Sequence, residues 1–273
     1  MKINTLVEIR EVHGNLNWQE ISKLTNLSDD FMREHRHLLD WYIVLKFQKI
    51  PEYLIREFKD VLNWYIVSYS QNLSEDFIRE FEDRLDWREI SSRQKLSEDI
   101  IREFQQRVDW SHISSSQDLS ESFIEEFKDK VSWSLISRDQ TLSIPFIRKH
   151  EDEVNWHYIS SHQKLPEHII REFKYQVDWS MVSKYQKLSE DFIREFYNRV
   201  DWNRICMYQD LTESFIKEFE GDVDYHMVSK YQKLSKEFII DNLKKLSFTG
   251  LVKNKKLDEE LKEELKVFYE MTK

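Results

Sequence analysis

One aromatic position recurs every 23 residues along this chain and decides what it can fold into. Trp18, Trp41, Trp64, Trp87, Trp110, Trp133, Trp156, Trp179 and Trp202 are followed in register by Tyr225 and, less clearly, by Phe248. No insertion or deletion disturbs the count. A fixed period of roughly 20–50 residues is the mark of stacked supersecondary units, in which each repeat leaves an apolar face for the next to cover.

Taking the aromatic residue as position zero, +3 is Ile or Val in all ten repeats, +4 is Ser in eight and +7 is Gln in nine. The residue before the ring is Asp, Asn or Ser throughout, from Asn17 to Asp224. Such side chains accept hydrogen bonds from the free amides of a helix start. The pattern predicts a helix of about two turns beginning at the ring, helix B. The second half of the repeat reads Leu-Ser-Glu-Asp-Phe-Ile-Arg-Glu-Phe at 188–196. Ser189 is the expected N-cap, and Glu190 and Asp191 put negative charge at the positive end of the helix dipole. Phe192, Ile193, Phe196 and Val200 form the stripe of an amphipathic helix of about three turns, helix A. The prolines agree: Pro51 and Pro166 take the cap position and Pro145 lies two residues beyond it, all where no N–H is required.

These readings predict an all-α fold, an α-solenoid of ten 23-residue helix-pair repeats over 18–247. Residues 1–17 form an N-terminal cap, and 248–273 a degenerate eleventh repeat acting as C-terminal cap, the whole being a single domain. Neighbouring repeats complete each other's interior, so the indole rings are expected to stand side by side. Gln at +7 is expected to bond free carbonyls or the next Gln as a ladder. Arg at +15 and Glu at +16, as in Arg56-Glu57, should pair between neighbouring helices A. Phe248, Leu251, Leu257, Asp258, Leu261 and Leu265 keep the repeat's register to the end, and the last helix could alternatively dimerise as a short coiled coil.

Composition removes several function classes. There are 3 Gly and no Ala, so large side chains fill the gaps where helices meet, unlike tetratricopeptide arrays. With so few glycines there is no phosphate-cradling loop, and no nucleophile is paired with a base, so neither an enzyme nor a cofactor is expected. His157, His162 and His168, or His35 with His37, lack the spacing of a metal-ligand pair. His35 and His150 instead stand at +17, where most repeats carry Phe, and are expected to substitute for it. Cys206 is the only cysteine. It excludes an internal disulfide, suggests a reducing, intracellular location, and falls in the +4 Ser slot as a small packed residue. The longest apolar run, Trp41 to Leu45, is too short for a bilayer, so no membrane partner is expected. Residues 1–17 read as part of the stack rather than as a signal peptide.

Positions that repeat everywhere serve packing, so a site is sought where repeats differ. At +5, +6 and +8 the ten repeats hold eleven Lys or Arg against three Asp, on a chain of formal charge −10. Aromatic residues are interleaved. The candidate binding residues are Lys46, Phe47, Lys49, Arg93, Lys95, Lys184, Tyr185, Lys187, Tyr208, Lys230, Tyr231 and Lys233. Cations at helix C-termini are also favoured by the dipole alone, and the acidic balance opposes non-specific duplex binding.

The unit Asp-Trp-x-x-Ile-Ser-x-x-Gln-x-Leu-Ser-Glu-x-Phe-Ile-x-x-Phe, carried for instance by residues 86–104 with Ile100 in the first Phe slot, resembles short tryptophan repeats in proteins of giant DNA viruses and some phages. The likeness spans residues 17 to 246. It implies a viral protein acting inside an infected cell by engaging a host factor, and it brings no functional residues with it. The expected function is therefore a non-enzymatic scaffold gripping a protein partner along an extended surface. The alternatives are a nucleic-acid or phosphate-rich ligand bound along the basic edge of helix B, and a structural virion component.

Overall fold

The computed structural model describes residues 2–14 and 16–271. Among these every regular element is a helix, apart from one parallel bridge between Ile3 and Leu27. It is an α-solenoid of helix pairs with the predicted period. Helix B runs from the ring to +6, as in Trp64–Ser70 and Trp179–Tyr185. Helix A runs from +11 to +16, as in Glu75–Glu80 and Glu190–Glu195. In the first repeat helix B shrinks to Trp18–Ile21.

Helix A is shorter than its stripe suggests. It holds six residues rather than three turns, because Phe at +17 is already its C-cap. The chain then turns back on that residue's carbonyl: Arg84 N–H and Leu85 N–H both reach Phe81 O, at 2.9 and 3.2 Å. The next indole fastens this turn. Trp87 Nε1 donates to Glu82 O at 2.9 Å and Trp179 Nε1 to Lys174 O at 3.0 Å, five residues upstream in each case. The stripe residue at +21, such as Val200, is buried from the turn and not from a helix.

The chain divides into two compact bodies, Met1–Ser132 and Trp133–Lys273. The boundary falls between the fifth and sixth repeats. The first body holds an N-terminal helix, Leu6–His13, and repeats one to five. The second holds repeats six to ten, then Phe248–Lys253 and Glu259–Met271. Inside each body, successive helices B from the second repeat onward pack directly on one another. Successive helices A are bridged by long side chains.

The sealed interior is built from +3, +4, +13 and +14. In the eighth repeat Val182, Ser183, Phe192 and Ile193 are all fully buried. The indoles are not that interior. Apart from Trp41 they are partly exposed, and no ring contact between two tryptophans occurs among the described residues. Each lies instead on the phenylalanines of its own helix A: Trp110 is 6.3 Å from Phe123 and 4.9 Å from Phe127, and Trp202 is 6.2 Å from Phe215 and 5.0 Å from Phe219. His150 does replace Phe, buried 4.8 Å from Trp133, and His35 lies partly buried 5.2 Å from Trp18.

Helices of six and seven residues leave most of their end groups without an intrahelical partner. The recurring polar residues satisfy these groups across the repeat boundary. Gln186 Nε2 donates to Ser160 O and Gln163 O, both at 2.8 Å, while its Oε1 accepts Leu165 N–H at 2.9 Å. The predicted glutamine ladder is therefore real, but Gln at +7 is the extended C-cap of helix B and not a helical residue. Ser183 Oγ donates to Trp179 O at 2.7 Å and accepts Asp201 N–H at 3.0 Å. Glu167 Oε1 accepts the N–H of Ser189, the next helix A cap, at 2.7 Å. Arg171 pairs with Glu195 at 2.7 Å, as the +15/+16 pattern predicts, and lies 4.9 Å from the Phe192 ring. The Ser, Gln and Glu rungs each satisfy a backbone amide or carbonyl of a neighbour, and burial without a partner would cost about 1–3 kcal/mol per group.

The outermost repeats close these rungs with different residues. In the first repeat Asn17 N–H bonds Glu20 Oε2 at 2.9 Å in a capping box, in place of a preceding serine. Ser28 N–H bonds Ile3 O at 2.8 Å, in place of a preceding glutamate. After the tenth repeat Asn254 takes the glutamine role. Its Nδ2 donates to Ser229 O and Gln232 O, both at 2.8 Å.

Candidate interaction surface on the B layer

Helix A and helix B divide the charge. In the ten helices B the only acidic residues are Glu20, Glu89 and Asp139, whereas every helix A except Ile144–Lys149 carries net negative charge. The cause is local. Helix A needs carboxylates at +11 and +16 for its rungs, while the solvent face of helix B has no rung to make. The exposed side of the B layer thus carries little of the acidity that dominates the whole chain, and it carries the variable aromatic and basic residues.

In the first body this face holds Tyr42, Phe47, Tyr65 and Tyr69, which are 49, 46, 49 and 39% exposed. They lie on Trp41–Phe47 and Trp64–Ser70, two helices that pack on each other. Tyr65 and Tyr69 stack at 6.2 Å. Arg93, from the next helix B, covers Tyr69 at 3.8 Å and is held by Glu89 at 2.8 Å. The Glu89 carboxylate raises the Tyr65 phenol and the Arg93 guanidinium above their usual pKa ranges, so both keep their protons. Lys46 Nζ is 5.6 Å from the Phe47 ring centre. Lys49 has an internal role, since its ammonium bonds Ser70 O. Lys95 is exposed and lines a 360 Å3 recess with Arg93 and Asp118.

Tyr42 and Tyr65, at +1, belong to this surface and are absent from the sequence-derived residue set, which drew on +5, +6 and +8. The available signal was that +1 is as variable as those positions.

In the second body Tyr185, Tyr208 and Tyr231 occupy the same place, +6, on three successive packed helices. Lys184 Nζ stands 4.5 Å from the Tyr185 centre and 5.4 Å from the Tyr208 centre, and Lys230 Nζ 4.9 Å from Tyr231. Lys187 and Lys233 are exposed at the exits of their helices. Between them, Asp210 is paired with Lys256 at 2.6 Å, which holds its carboxyl below the usual range. The sequence-derived residues therefore form two groups, one in each body.

Cys206 is fully buried in the serine slot, and burial pushes its thiol up to about 11. It is a packed residue and not a nucleophile at neutral pH. No group of three or more metal-ligating side chains occurs among the described residues, and no helix there is long and apolar enough to cross a membrane. No family model, curated protein or solved structure matches the chain.

Proposed function

We propose that the protein is a non-catalytic interaction scaffold whose first body grips a protein partner through the aromatic surface of its B layer. The observation that carries this reading is the group of four half-exposed rings, Tyr42, Phe47, Tyr65 and Tyr69, on helices whose packing does not require them. Exposed aromatic clusters mark interaction sites, and Tyr and Arg carry much of the energy of protein interfaces. Tyr69 is already stacked by Arg93, so that part of the surface is ordered before a partner arrives. Lys46 and Arg93 at its border fit a partner that offers apolar side chains flanked by carboxylates. The resemblance to viral tryptophan repeats is what supports a host factor as that partner.

The test is capture from host lysate with the full chain as bait, beside a Tyr42→Ala, Phe47→Ala, Tyr65→Ala, Tyr69→Ala variant. Circular dichroism first establishes that the variant keeps its helical content. A specific partner bound by the native chain and lost by the variant supports the reading. Equal capture by both, or none by either, overturns it.

A further inference from the structure

We infer that the second body binds a single-stranded nucleic acid along Tyr185, Tyr208 and Tyr231. This is a separate surface from the one proposed above and does not depend on that reading.

Three observations combine. First, the three tyrosines repeat in register on consecutive helices, and Tyr185 and Tyr208 are 51 and 49% exposed. Helices in direct contact lie about 8–10 Å apart, so the row offers one ring per repeat at near-constant spacing. Helical-repeat proteins that read RNA use that arrangement, one base per repeat. Second, one cation stands between the first two rings and another beside the third. The Lys184 ammonium is within 5.4 Å of two successive ring centres. Lys187 and Lys233 extend from the adjoining turns into solvent. Third, 156–162, 179–185, 202–208 and 225–231 contain no Asp or Glu, in a chain with 51 of them. Asp210, at the exit of 202–208, is paired with Lys256. Rings flanked by ammonium groups suit bases joined by phosphates, because every base has a face to stack and every nucleotide a charge to meet. An acidic peptide would satisfy the lysines but leave the regular ring spacing without a purpose.

The experiment is fluorescence anisotropy of a labelled 16-nucleotide oligo(U) with the full chain at rising salt, with a poly-glutamate peptide as competitor. Binding should weaken with salt at a log–log slope of about −3, as four phosphate contacts require. Tyr185→Ala, Tyr208→Ala and Tyr231→Ala should each weaken it about tenfold, the effect of removing one stacking platform, and the three Tyr→Phe changes should leave it intact. Reversing Lys184, Lys187, Lys230 and Lys233 to Glu should abolish it. Each variant is first shown to unfold at the native denaturant midpoint. Binding unaffected by the alanine changes overturns the inference, as do poly-glutamate binding as tightly as the oligonucleotide and no binding at low salt.

Discussion

Gln186 shows how one side chain can hold two repeats together. Its amide is buried and makes three hydrogen bonds to backbone groups of the preceding repeat. Gln186→Ala would strand Leu165 N–H and two carbonyls at once, and should cost about 2–4 kcal/mol in denaturant titration. Its surface neighbour Lys187→Ala should cost less than about 0.5 kcal/mol; similar losses at both sites would mean that the rung is ornamental. Cys206 gives a pH signature. Its folded pKa is raised from 9.0 to about 11 by burial. The neutral thiol is thus favoured by the fold, and the associated stability is complete below pH 9 and lost as pH rises towards 11. The loss attributable to this group is on the order of 3 kcal/mol. Cys206→Ser should remove that component, so unfolding free energies of the two proteins measured at pH 8 and pH 10.5 should diverge. A native chain no more alkali-sensitive than the serine variant would contradict the buried thiol.

At the scale of the helices, neither A nor B could persist alone, since six or seven residues are too few to offset nucleation. What holds each is the rung from its neighbour, and the +11 position shows how closely the sequence follows that need. A carboxylate stands at +11 in repeats whose successor has a cap N–H to bind: Glu52 serves Ser74, Glu75 serves Ser97 and Glu190 serves Thr212. One exception fits and one does not. Ile144 precedes the repeat capped by Pro166, which has no N–H, whereas Lys236 precedes the helix capped by Asp258 and pairs instead with Glu264 of that helix at 2.6 Å. Asp29 precedes Pro51 and turns instead to Lys2 and Tyr53. The rule predicts a thermodynamic coupling. Ile144→Glu alone should gain nothing, and Pro166→Ser alone should leave an amide facing Ile144. Together they recreate a charge-assisted rung, so a double-mutant cycle should return a favourable coupling of about 1–2 kcal/mol. A coupling indistinguishable from zero would show that the glutamate rungs are incidental. The caps, the +3 and +14 aliphatics and the Arg–Glu pairs were legible in the sequence, because each is a one-residue signal with a one-residue cause. The true length of helix A was not, since Val200 continues the apolar period through a turn. Asn254 was missed because it sits at +6 and bonds with a shorter side chain. Tyr42 and Tyr65 were missed because variability alone ranks all solvent-facing positions equally.

For the molecule as a whole, the rungs have a direction. A repeat with the common residues presents Ser at +4 and carbonyls at +4 and +7 to its successor, and presents the Gln amide and cap N–H groups to its predecessor; Leu45, Cys206 and Thr25 are the departures. Within one body, a repeat that keeps these residues therefore fits behind another if the count is kept. Removing residues 179–201 would bring Gln209 onto Ser160 O and Gln163 O, Glu167 onto Thr212 N–H, and Arg171 onto Glu218, all pairings already made by residues of the same type. The shortened protein should keep its helical signal per residue, with a denaturant m-value lower by about a tenth, as the surface buried by one repeat in ten requires. Removing 179–202 deletes just one residue more, yet it takes the ring that fastens the turn and shifts every downstream rung. That protein should lose cooperative unfolding of the second body. If the two deletions unfold alike in circular dichroism, the stack is held by general apolar contact, and the register of the polar rungs has no part in specifying it.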